Sequence, residues 1–244
     1  MTILEQNIQA VNRLVNFDRT VLDYAIQTLK ELRGKLKEHH KIDNPHLTAE
    51  SALSQLRTIR ENDSLRPQYG QIFNQCVVLL VSYFGSAISD HFSTAVTRSM
   101  EANPTDGLLQ EDFRVSGRDL YLAASGDAGS VGDLVIKKKD ISFQDMQSIR
   151  RSFKKYLGVV TDRDTSVHDI ILGQAARHII VHDASRMGPQ FMRQIQGAVP
   201  RRIMEDLQET EEIVFEPDEI RQLGNSMLEF ESAILCGLEK KGLV

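Results

Sequence analysis

The sequence predicts an all-α protein: an up-and-down helical bundle with a long helical extension at its N-terminus. Three observations carry that expectation. Apolar residues recur at alternating spacings of three and four along most long segments, the period that lines one face of a helix. Proline is scarce, at 6 in 244 residues, and the closest gathering among the 15 glycines is Gly126, Gly129 and Gly132 in one loop, so long helices run with few interruptions. Hydrophobic residues make up 41% of the chain, enough to fill a sizeable core. The best candidate boundary is Asn62-Asp63-Ser64-Leu65-Arg66. It divides an extension, residues 1–62, from a helical domain, residues 63–244.

Residues Thr2 to Lys37 read as one helix, with Ile8, Val11, Val15, Leu22, Ala25, Leu29, Leu32 and Leu36 in register and Asp18 as the only interruption. Such a row suits a coiled-coil seam or an arm of a helical hairpin, and equally a helix packed on its own domain. The loop Glu38 to Leu47 holds His39, His40 and His46, but no carboxylate or cysteine at ligand spacing stands beside them, so a metal site is not expected. Thr48 is placed to cap a second helix ending near Glu61.

Pro67 suits the first turn of the next helix, Gln68 to about Ala102. Ile72, Phe73, Cys76, Val77, Leu80, Phe84, Ile88 and Phe92 mark it as a core helix, and its apolar run Cys76 to Val81 is too short for a bilayer. Asp90 and His91 interrupt that surface. Asp90 is either a counter-ion for a buried cation elsewhere or part of a solvated helix end.

Arg114 to Lys139 reads as an irregular insertion, with Gly117, Gly126, Gly129 and Gly132 and a short hairpin at Leu134 to Ile136. Its glycines lack the order of a dinucleotide or phosphate loop. Ser142 and Asp145 have capping-box spacing and open a helix with Arg150, Arg151, Lys154 and Lys155 on one side and Met146, Ile149, Phe153 and Leu157 on the other. This is an ordinary amphipathic helix whose basic face can also line a phosphate path. Phe191 to Ile195 and Ile203 to Leu207 read as short helices around Pro200, and Glu209 to Glu216 as a loop or short strand. Pro217 opens the last helix, which carries acids early and lysines late, as its dipole favours.

A net charge of −5 argues against a protein that coats nucleic acid at large, while leaving room for a local basic cleft. Cys76 and Cys236 each lie among apolar neighbours and read as buried free thiols of a reducing cytoplasm. The first residues lack a basic stretch followed by an apolar core, so no signal peptide and no membrane association are expected.

The segment with chemistry in it is Ser166 to Arg186. It reads as one helix, apolar over most of its circumference, with Val167, Ile170, Ile171, Leu172, Ala175, Ala176, Ile179, Ile180 and Val181. It nevertheless carries Arg177, His178 and His182. Buried cations are costly unless paired, so a partner side chain, a second chain or an anionic ligand is expected to meet them. His178 and His182 are four apart and share a face, which Arg186 continues. Arg177 and His182 diverge by about 140° on a regular helix.

Arg177, His178 and His182 within a buried helix, preceded by the long apolar helix Gln68 to Met100 and followed by Ala184-Ser185-Arg186-Met187-Gly188-Pro189, resemble the HEPN domain ribonucleases. Their signature is an Arg, four to six residues, and a His. The resemblance runs from about Ser64 to Val244. It implies a HEPN-like bundle and a homodimer in which two motif helices meet at a cleft, with RNA as the substrate and no cofactor or metal. On that reading Arg177 clamps a phosphate, His182 serves as general base or acid, and His178 orients or assists. Most relatives carry Asn at the position of His178. Arg186 and Asp90 are the further candidates for contact with substrate. The chemistry is cleavage by the RNA's own 2′-hydroxyl, for which imidazoles supply base and acid and a guanidinium meets the phosphate. The resemblance also implies a role as a toxin or antiviral effector, with an antitoxin or other partner protein. A non-catalytic helical scaffold is the alternative, favoured by the acidic net charge and the heptad row.

Overall fold

A computed structural model describes residues 1–39, 45–102, 104–114, 116–117, 130–205, 207 and 212–243. Ten α-helices make up these residues, and no strand is among them, only an isolated antiparallel bridge between Arg186 and Glu212. They are α1 (Ile3–Val15), α2 (Phe17–His39), α3 (Pro45–Glu61), α4 (Gly70–Ala102), α5 (Asp106–Leu109), α6 (Val131–Lys139), α7 (Met146–Ser152), α8 (Thr165–His182), α9 (Pro189–Ile195) and α10 (Pro217–Glu239). The expected all-α class holds.

Helix α4 is the axis of the molecule. Phe73, Cys76, Val77, Leu80, Phe84, Ile88 and Phe92 are buried along it, and α1, α6, α8 and α10 pack around it. It is also the one described helix long and apolar enough to cross a membrane, with 56% of its apolar window buried inside the protein. Burial alone raises the Cys76 thiol to about 11. Cys236, expected to be buried, is instead exposed.

The N-terminal segment departs from the expectation in an instructive way. The predicted single helix is broken at Asn16. Its first part, α1, buries Leu4, Ile8, Val11 and Val15 against α4 and α10, while α2 turns away to pair with α3. Helix α1, which falls within the expected extension 1–62, thus packs in the core cluster. Asp18, the interruption in the apolar row, is buried and paired with Arg66 at 3.1 Å. Thr48, expected as an N-cap, lies inside α3. His39, His40 and His46 fall outside the described side chains.

The predicted hairpin at Leu134 to Ile136 is a helix. Ser130 and Asp133 form a reciprocal capping box at the start of α6. Gly132 is there for contact: a Cβ at that position would stand 2.0 Å from the Ser93 carbonyl oxygen on α4. The residues 118–129 of the same insertion lie outside the description. Helix α7 starts at Met146, capped by Asp145 rather than Ser142, and continues through a π turn, Phe153–Leu157. Of the segment 203–207, expected as a short helix, the described residues 203–205 and 207 are not helical.

Candidate functional site

Helix α8 begins where the Asp164 carboxylate accepts the Val167 amide at 3.0 Å and ends at His182, four residues before Arg186. Its Ile170, Leu172, Ala176 and Ile179 are buried among α4, α9 and α10, but its circumference is not closed. Val167, Ile171, Gln174, Ala175 and His178 form the wall of an open groove of about 880 Å³. Their spacing of three and four places them on one helical face. Helix α7 and its π turn supply the opposite wall.

The charge in this groove is lopsided. Six permanent cations line it, Arg150, Arg151, Lys154, Arg163, Arg177 and Arg193, against a single carboxylate, Asp145. That carboxylate is engaged as the cap of α7, accepting the Ser148 amide at 2.7 Å. None of the six cations has an ion-pair partner among the described residues. Arg150 donates to the Thr161 hydroxyl and carbonyl at 3.2 and 2.8 Å, and Arg163 to the Gly197 carbonyl at 2.9 Å. The Nε of Arg177 is buried without a hydrogen-bond partner, as is the Nε2 of Gln174. A groove of this composition attracts polyanions even on an acidic protein, since field lines from its walls add within the cleft.

The basic face of α7, expected either as a solvated face or as a phosphate path, is thus turned toward the motif helix. Lys155 departs from the other three cations and pairs with Glu111, as does Lys139, which holds Glu111 below the usual carboxylate range.

His178 sits at the end of the groove and also lines a second hollow of about 570 Å³, shared with Asp183, Arg186, Met187, Gln190 and Phe191. The His182 ring lies with its centroid 5.0 Å from that of His178, tilted by 50°. His178 is half-buried and His182 exposed. Of the motif residues, Arg177 and His178 line the groove, while exposed His182 lines neither hollow and meets the site only through its ring contact with His178. Arg186 does not continue the histidine row, because the helix has ended, but it lines the second hollow. Asp90 is exposed on α4 and pairs with none of these groups; Arg177 has no counter-ion there.

Two features of the site carried no signal in the sequence. Asn74, fully buried on α4, donates to the Ser185 hydroxyl at 3.3 Å and the Ile213 carbonyl at 2.8 Å and accepts the Phe215 amide at 3.3 Å. It holds the turn after α8, where Ala184 and Ser185 take positive φ of 50° and 65°. Behind the groove, buried Asp169 accepts from the Arg202 backbone at 2.7 Å, its guanidinium at 2.9 Å and the Ser226 hydroxyl at 2.8 Å, tying α8 to α10. His168 donates from Nδ1 to the Pro200 carbonyl at 2.8 Å, away from the groove face. Among the described residues, no group of three His, Cys, Asp or Glu is placed to hold a metal.

No family model matches the chain, and no curated protein and no solved structure matches it.

Proposed function

We propose that the chain is a metal-independent endoribonuclease of HEPN type that cleaves RNA in this groove. The observation that carries the reading is the set of six cations with one engaged carboxylate, in a groove that ends at His178, whose ring neighbours that of His182. The cations track a phosphate backbone, and Arg177, whose Nε lacks a protein partner, takes the scissile phosphate. One imidazole removes the 2′-hydroxyl proton, the 2′-oxygen bonds to phosphorus, the bond to the 5′-oxygen breaks, and the other imidazole protonates that oxygen. The products are a 2′,3′-cyclic phosphate and a 5′-hydroxyl. His178, which lines both hollows, takes a proton-transfer role beside His182 rather than merely orienting it.

The homodimer implied by the resemblance is part of the proposal. Val181, apolar and 49% exposed beside His182, offers contact surface for a second motif helix. A role in toxin action or antiviral defence, with an antitoxin as partner, rests on the resemblance alone.

A non-catalytic scaffold is the second reading. It is favoured by Leu14, Phe17, Val21 and Tyr24, an exposed apolar stripe where α1 passes into α2.

The test is RNA cleavage by the wild-type chain and the Arg177→Ala, His178→Ala and His182→Ala variants in excess chelator. The nuclease reading expects wild-type cleavage and its loss in the variants, with unchanged circular dichroism. Equal behaviour of all four proteins supports the scaffold.

A further inference from the structure

We propose that the second hollow is a nucleobase subsite and that it selects guanine. The inference rests on the reading of the groove as an RNA site and adds the identity of the base held next to the scissile phosphate.

Two neighbouring hollows share His178 but differ in charge. The groove has six cations and one carboxylate already engaged in a helix cap. The second hollow holds one group of each sign, Asp183 and Arg186. A free carboxylate repels a phosphate but suits the one part of a nucleotide that is uncharged and carries N–H donors. Its floor is apolar, made by Met187 and Phe191, both buried, which matches the face of a planar base. At about 570 Å³ the hollow has room for a nucleoside. Its polar groups are unspent: neither Asp183 nor Arg186 has a side-chain hydrogen bond or ion pair among the described residues, although they stand three apart and the Arg186 amide donates to the Asp183 carbonyl at 3.1 Å.

The pair dictates the base. A carboxylate accepts two parallel N–H groups, and guanine alone among the four bases offers two adjacent donors, N1–H and N2–H, on one edge. A guanidinium donates to two acceptors, and guanine presents O6 and N7 together on the next edge. Uracil has one ring N–H and no N7. Adenine sets an amino donor beside N7, against the guanidinium. Cytosine can satisfy the carboxylate through a single amino group only. The turn that carries both side chains is fixed from behind by Asn74, so the two recognition groups are held on a rigid support.

Binding is read separately from cleavage with short fluorescein-labelled 2′-O-methyl RNAs, which lack the attacking hydroxyl. The set comprises an all-adenosine strand and strands with one central G, C or U, measured by anisotropy. The expected result is that the wild-type chain binds the G strand about tenfold more tightly than the others. Asp183→Asn abolishes the preference, read as the ratio of the G-strand affinity to the all-adenosine affinity, while Lys154→Gln weakens all four strands by the same factor. RNA bound without base preference, or a preference that survives Asp183→Asn, overturns the subsite and leaves the groove reading intact. No binding of any strand overturns both.

Discussion

His178 stands where the groove meets the second hollow, half-buried, with the His182 ring 5.0 Å away. Two imidazoles so close can divide base and acid roles, and removing either is expected to cost about 10²–10⁴ in cleavage rate, as for a general acid or base elsewhere. Arg177→Lys keeps the charge but loses the planar fork, so rates intermediate between wild type and Arg177→Ala are expected in the same assay. Asn74 makes a different prediction, on stability. Asn74→Ala leaves buried partners at Ile213 and Phe215 unsatisfied and is expected to cost roughly 2–4 kcal/mol in urea unfolding. The motif residues were legible because an Arg and two His in an apolar helix demand a partner. Of the two readings of Asp90, the structure has the solvated one, a choice sequence alone could not make because it does not say which way the helix turns a carboxylate. Asn74 gave no signal, since its three bonds reach residues more than a hundred positions away.

Helix α1 shows how an element can be read correctly and placed wrongly. Its apolar positions were plain, but the break at Asn16 has no proline or glycine to announce it, and it lets α1 enter the core while α2 leaves it. Ile8→Ala is accordingly expected to cost roughly 2–5 kcal/mol, whereas Leu32→Ala on exposed α2 should fall within about 0.5 kcal/mol of wild type. Chemical denaturation of the two variants checks the pair, and equal effects would return α1 to a separate extension. Helix α6 was misread because Gly132 looks like a loop residue, when it is small so that α6 can touch α4. The tie between α8 and α10 has a pH signature. Arg202, then the Ser166 hydroxyl, hold Glu229 below the ordinary glutamate value of 4.5. A carboxylate lowered in the fold stabilises it fully above its unfolded value and ceases to do so as pH falls through the folded one. The thermal-melting advantage of wild type over Glu229→Gln is thus expected to be constant near neutrality and to vanish in the acid range below 4.5.

Taken whole, the molecule carries a net charge of −5 and yet gathers six cations in one groove, an arrangement visible in the sequence only as a basic face on one helix. Sequence shows which faces are basic; only the packing of α7 against α8 shows that this face meets Arg177 and His178. On the proposed reading RNA affinity is salt-dependent, and Lys154→Gln is expected to lower the slope of log affinity against log salt by about one. An unchanged slope would remove Lys154 from the phosphate path. The claim beneath all of these is that the RNA's own 2′-oxygen attacks a phosphate held by Arg177 beside two imidazoles. The most direct measurement is the chemical nature of the new 3′ end when the wild-type chain is incubated with RNA in excess chelator. The account predicts a 2′,3′-cyclic phosphate that fails to form with His178→Ala. A 3′-hydroxyl end, or cleavage that begins only on adding a divalent cation, would contradict it.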